Sequence, residues 1–202
     1  MTAPSPRRRP QRRGIVAEHS NGSALLILDM ISRWDYPDGA TLLRHALRVA
    51  PAIAALRMRC RERDVPVIYA NDNSGQWRSD FKFVVREALE SPGGGARIAQ
   101  MLEPGDEDYF VLKPKHSAFF ATPLELLLDH LRVRRLVVVG VTSDQCVAAT
   151  AADARMRDFE LVIPEDAVAT ITAARNRRAL AHIREVLEVS TTPAARVRLD
   201  AA

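Results

Sequence analysis

A chain of 202 residues with 47% hydrophobic and 27% charged side chains can bury one substantial core, which excludes a disordered or fibrous protein and favours a single soluble domain. No apolar run approaches the roughly 20 residues of a membrane span and no signal-like apolar segment opens the chain, so a cytoplasmic location and no membrane partner are expected. The net charge of +4 is local: five arginines (Arg7, Arg8, Arg9, Arg12, Arg13) crowd the first 13 positions, leaving 24 basic against 25 acidic residues elsewhere. Residues 1–22 therefore read as a disordered Arg/Pro-rich tail ahead of one domain over 23–202, with nucleic acid an unlikely partner beyond weak contact by that tail. Cys60 and Cys146 do not make a disulfide framework, and a reducing compartment suits them.

Ala24–Asp29 (ALLILD) is a buried strand that ends on a carboxylate. In open α/β sheets ligands bind at the carboxyl ends of the strands, so Asp29 is a candidate site residue. A loop containing Trp34, Pro37 and Gly39 follows. Apolar residues at Leu42, Leu43, Ala46, Ala50, Ile53, Leu56 and Cys60 have helical spacing over 40–63, and Pro51 predicts a break near Ala50. Strand 65–70 leads into the polar loop 71–80, which holds Asn71, Gly75 and Trp77.

Short helices are expected at 81–89 and 96–102, and a strand at 109–112 runs straight into Lys113. Thr122, Pro123 and Glu125 then have the form of an N-cap, an N1 proline and the acid of a capping box, for a helix ending near Leu131. The run LVVVGVTSDQCVAAT from Leu136 to Thr150 reads as a buried strand, a tight turn and a helix start, with Cys146 in the first helical turn. Unpaired backbone amides and the helix dipole there would favour a thiolate, making Cys146 a candidate nucleophile; the alternative is plain packing. Strand 159–163, loop 166–172, helix 173–187 and a short last strand at 188–191 complete the chain. Alternating strands and helices call for an α/β fold: a three-layer αβα sandwich with a mostly parallel, roughly six-stranded doubly wound sheet.

Asp29, Lys113 and Cys146 each follow the carboxyl end of a strand, and in such a sheet those ends share one edge. Acid, cation and thiol form a sensible nucleophilic set. Trp34, Asn71, Trp77 and Phe119 lie in loops at the same edge, where they either line a substrate pocket or pack.

The chain resembles the isochorismatase-like cysteine hydrolases, which include nicotinamidases, N-carbamoylsarcosine amidase and ureidoacrylate amidohydrolases. The likeness rests on LLILDM around Asp29, KPKHSAF from Lys113, GVTSDQCV from Gly140 and ATAADA from Ala149, in matching order, and covers roughly residues 24–192. It implies an Asp29, Lys113, Cys146 triad, with Lys113 rather than Lys115 because it stands four residues before Ser117. It also implies a cis peptide between Val141 and Thr142, with the Thr142 and Cys146 amides forming an oxyanion hole, and a homo-oligomer. The nicotinamidases hold a metal with an Asp and histidines after the second strand, whereas NDNSGQWRSD has no histidine, so no metal and no cofactor are expected. The function so implied is cleavage of a C–N bond in a small amide, ureido or carbamoyl compound through a thioester; the alternatives are vinyl ether hydrolysis and a non-catalytic binding or assembly role.

Overall fold

The computed structural model describes residues 22–73, 75, 77, 78 and 80–199. The expectation of a disordered tail over residues 1–22 therefore lies outside the described residues except at Gly22. That residue is buried, and its carbonyl accepts hydrogen bonds from the Arg134 and Arg135 amides at 2.9 and 2.6 Å.

Six parallel strands form the central sheet: β1 (Ser23–Leu28), β2 (Val67–Asp72), β3 (Tyr109–Lys113), β4 (Arg135–Val141), β5 (Glu160–Val162) and β6 (Val168–Ala169). Their order is β3-β2-β1-β4-β5, with β5 and β6 sharing one flank of β4, β5 along its first half and β6 along its last two residues. The chain winds one way from β1 to β3 and the other way after β4. The switch point therefore falls between β1 and β4, where open α/β sheets place their ligand crevice.

The pleat explains why these strands read as unbroken apolar runs. Leu25, Ile27, Val137 and Val139 face one core with α1 (Gly39–Arg61), α2 (Phe81–Leu89) and α3 (Gly94–Met101). Ala24, Leu26, Leu28, Leu136 and Val138 face a second core with α4 (Leu124–His130), α5 (Ala148–Arg155) and α6 (Ala173–Glu185). Alternate side chains thus bury in opposite layers, so every position must be apolar. No helix among the described residues is long and apolar enough to cross a membrane.

Five local expectations are corrected. α1 runs unbroken through Pro51, because the proline sits on the exposed face and its missing N–H affects only the carbonyl one turn back, leaving the buried stripe intact. The segment read as a loop at 166–172 contains β6, while the expected strand at 188–191 is reduced to a single bridge between Ser190 and Val162. The capping box does not form: Thr122 Oγ1 accepts from the Leu124 amide at 3.2 Å, but Glu125 turns outward to Arg157 Nε at 2.9 Å. Finally, Cys146 lies in a wide π-helical turn, Ser143–Val147, ahead of α5 rather than in the first turn of an α-helix.

Gly140 shows how tightly β4 is set against β1. Its φ of 109° is left to glycine, and a Cβ there would fall 2.1 Å from the carbonyl oxygen of Leu28. Gly140→Ala should therefore destabilise the fold by about 3 kcal/mol or more. Urea unfolding checks this, and a midpoint equal to that of the unaltered protein would contradict the registry Leu28 to Gly140.

Candidate active site

The ends of β1, β2, β3 and β4 converge on one polar cluster. Asp29 leaves β1 in a left-handed conformation (φ 53°), which turns its carboxylate across the sheet edge. Its Oδ1 accepts from the Asp72 amide at the end of β2 (2.8 Å), and its Oδ2 meets Lys113 Nζ at 2.8 Å. Lys113 ends β3, paired in register with Asp72, so its long stem must pass the end of β2 to reach Asp29. The ammonium is fully buried yet well occupied: besides Asp29 it points to the Lys115 carbonyl at 3.4 Å and the Cys146 sulfur at 3.5 Å. Alongside burial, the Asp29 carboxylate also acts on the Cys146 thiol, raising its pKa. The structure thus brings together three side chains contributed by β1, β3 and the turn after β4.

Electrostatics set the resting protonation of this cluster. Burial raises the Asp29 carboxyl above its ordinary value, and the adjoining Lys113 ammonium only partly offsets this. Burial works against the Lys113 ammonium, but Asp29, the sulfur and Asp72 together hold its pKa above normal. Burial and then the Asp29 charge push the Cys146 thiol up to about 12. The expectation of a resting thiolate favoured by a helix start is therefore reversed. The sulfur keeps its proton and needs a base beside it, and Asp29 occupies that position.

The Val141–Thr142 peptide is cis. Against the larger upward push of burial and Asp29, the Thr142 backbone beside Cys146 lowers the thiol pKa slightly. The turn is braced from the far side. Asp144 accepts from Thr170 Oγ1 at 2.7 Å and from Arg175 Nε, and although burial alone would raise its pKa, these partners hold it below the usual carboxylate range. Arg175 is fixed in turn at the start of α6, where Thr172 Oγ1 accepts its amide hydrogen at 3.2 Å.

Residues 23–194 match the family model described as the isochorismatase domain. The chain belongs to the isochorismatase family. Among its relatives, an uncharacterized isochorismatase family protein, YaaI of Bacillus subtilis, is 37% identical over 169 residues, covering 84% of this chain and 92% of the relative. N-carbamoylsarcosine amidase of Arthrobacter is 26% identical, and the match covers 74% of this chain but only 60% of the amidase. A solved isochorismatase family protein from Desulfovibrio vulgaris superposes with a TM-score of 0.71 at 25% identity, covering 87% of this chain and 95% of that one. The proteins it matches share its sheet and include hydrolases, and this isochorismatase-family chain is a hydrolase.

In this family member a cavity of about 700 Å³ opens onto the sulfur, lined by Asp29, Asn71, Thr142 and Cys146 among others. Asn71 is thus at the cavity. The three aromatic residues are not. Trp34 is 4% exposed and packs in the core on the α1 side; Phe119 is 6% exposed, against Phe159 and beneath the Arg157 guanidinium; Trp77 projects into solvent at 80% exposure. Their places in sequence sat at the correct edge, but their large apolar area is accommodated better in the cores than in a polar crevice, and for Trp77 the loop turns outward.

The lining also includes residues that sequence reasoning did not single out, notably Arg33, Tyr36, Asp72 and Glu87. Only Asp72 carried a signal, as a polar residue in the loop expected after the second strand. His116 lies at the cavity with Nδ1 3.9 Å from the sulfur, farther than Lys113. Among the described residues, no group of three His, Cys, Asp or Glu is arranged to hold a metal ion.

Proposed function

We propose that this protein is a cysteine amidohydrolase that cleaves the C–N bond of a small amide, ureido or carbamoyl compound through a thioester on Cys146. The observation that carries this reading is the meeting of Asp29, Lys113 and Cys146 beside a cavity of about 700 Å³ that Asp29 and Cys146 line. The Arthrobacter N-carbamoylsarcosine amidase supports it, as does a streptothricin hydrolase of Streptomyces noursei, 32% identical over 147 residues. The chain spans about 60% and 49% of those two proteins' lengths.

In the proposed cycle the Cys146 thiol passes its proton to Asp29 as sulfur attacks the carbonyl carbon. The Thr142 and Cys146 amides take the charge that develops on oxygen. Asp29 returns the proton to the departing nitrogen, leaving an acyl thioester. Asp29 then accepts a proton from water, whose oxygen displaces the sulfur, and the thiol is regenerated. Lys113 keeps Asp29 ionised within the buried site, countering the burial that raises its pKa.

The sign of the pH response follows. Asp29 must be ionised to take the thiol proton, so kcat/KM should fall as pH drops through a carboxyl pKa above the ordinary value, with no corresponding loss near neutral pH from the thiol. Ammonia release from a panel of amides, ureas and carbamoyl compounds, followed against pH, provides the measurement. Absence of ammonia from the whole panel would count against the reading.

The raised Asp29 carboxyl also suits a general acid, which favours vinyl ether hydrolysis as the second reading. Protonating an enol ether needs no sulfur. A vinyl ether turned over equally by the protein and by Cys146→Ala would select this alternative.

A further inference from the structure

The cavity above the sulfur carries an imbalance of charge. Its described lining contributes four carboxylates, Asp29, Asp35, Asp72 and Glu87, against one fixed cation, Arg33, while Lys113 is buried behind Asp29. Lys113 is engaged by Asp29 at 2.8 Å, and Arg33 by Asp35 at 2.9 Å and by Glu87. With histidine counted as neutral and the buried Lys113 ammonium included, the lining and its counter-ion carry a formal charge of minus two. The field is felt within the cavity: after burial and Asp29, Asp72 adds to the upward shift of the Tyr36 phenol, and it also helps hold the Lys113 ammonium.

A second feature points to a donor on the ligand. Asn71 is only 2% exposed and lines the cavity. Its Nδ2 donates to the Ile31 carbonyl at 2.7 Å, which fixes the orientation of the amide, while its Oδ1 accepts no hydrogen bond. A buried acceptor without a donor is costly, and an N–H of a bound molecule would satisfy it. Apolar surface from Ile31, Leu42, Phe83 and Val84 lines the same cavity and suits a short hydrocarbon stem.

We propose that the cavity selects substrates whose end remote from the scissile carbonyl carries a protonated amine or guanidinium, and rejects those carrying a carboxylate there. This rests on the amidohydrolase reading for the identity of the scissile group. The cation is held by the net negative field of the lining, to which Asp72 and Glu87 contribute although Glu87 is shared with Arg33, with one N–H of the substrate directed to Asn71 Oδ1. Arg33 does not act as a carboxylate receptor, because Asp35 and Glu87 already occupy its guanidinium.

The test uses Cys146 as its own reporter in the full chain. Two methanethiosulfonates of similar size, one with a trimethylammonioethyl group and one with a sulfonatoethyl group, each form a mixed disulfide with the thiol and release methanesulfinate. Their rates at Cys146 are followed by intact mass and divided by their rates with 2-mercaptoethanol; Cys60, with no exposed surface, is the internal reference. The corrected ratio should favour the cation by about tenfold at low salt, as expected of focusing in a charged cleft, and approach unity at about 0.5 M salt. Asp72→Asn and Glu87→Gln should each lower it by about threefold. A corrected ratio of one or less, or a ratio unmoved by both substitutions, would overturn the proposal.

A parallel assay separates this inference from the one beneath it. Ammonia release from β-alaninamide in preference to succinamate supports charge selection. The opposite preference overturns charge selection and leaves the amidohydrolase intact. Release from neither, with the cationic reagent still favoured at Cys146, removes the amidohydrolase reading while the charge preference of the cavity stands.

Discussion

Replacing Cys146 with alanine should abolish amide hydrolysis, lowering kcat by about four orders of magnitude or more, while leaving the fold in place. The sulfur is the one atom in the cluster able to form an acyl bond, and no other cysteine can substitute, since Cys60 is buried on the inner face of α1. The substitution removes a half-buried thiol but keeps the Asp29 to Lys113 ion pair, so thermal unfolding should shift by only a few degrees, about 1 kcal/mol. Steady-state rates and a melting curve on the same preparation separate lost chemistry from lost structure. Because the resting thiol is pushed up to about 12, Asp29→Asn should be nearly as damaging, although the sulfur remains. If Asp29→Asn retained most of the rate, proton transfer to that carboxylate could not be part of the reaction.

Lys113→Met should cost both activity and stability. The ammonium is fully buried, and removing it leaves the Asp29 carboxylate in a largely desolvated site without its counter-ion, which costs about 3 kcal/mol when one partner of a buried pair is lost. The sign with pH is definite. Asp29 has a folded-state pKa above its unfolded value, and loss of Lys113 raises it further, so the folded variant binds a proton more readily than the unfolded chain. Its stability deficit should be fully present near neutral pH and should shrink as pH falls through the raised Asp29 value, because a protonated carboxyl needs no cation. Urea titrations at neutral and mildly acidic pH measure this, and a deficit that grew on acidification would contradict the assigned coupling.

Much of the sheet and the central cluster could be read from the chain because both rest on local rules. A buried parallel strand demands apolar residues on both faces, so ALLIL and LVVVGV stand out, and a polar residue immediately after such a run must lie at the edge where strands end. That logic finds Asp29 and Lys113 without knowing their distances, and the helix start expected after LVVVGV adds Cys146. The pocket wall is less legible because it depends on how loops fold back. Trp34 has the same loop position as Tyr36, two residues on, yet one ring enters the core and the other lines the cavity.

The state of the thiol was misread for a related reason. A sequence places Cys146 at a helix start, but the wide turn and the buried carboxylate beside it are tertiary facts, and they outweigh the dipole. Pro51 and β6 follow the same pattern. A proline breaks a helix only if its missing donor matters to the packed face, and two residues become a strand because β4 offers them an edge.

The most direct test of the mechanism is to mix the protein with an amide that releases ammonia, quench within the first turnovers, and weigh the intact chain. The account predicts a transient mass increase equal to the acyl group, localised to the peptide bearing Cys146, intercepted by hydroxylamine as the hydroxamate, and absent from Cys146→Ala. Ammonia release at an undiminished rate from Cys146→Ala, with no acyl adduct on the unaltered chain, would contradict it.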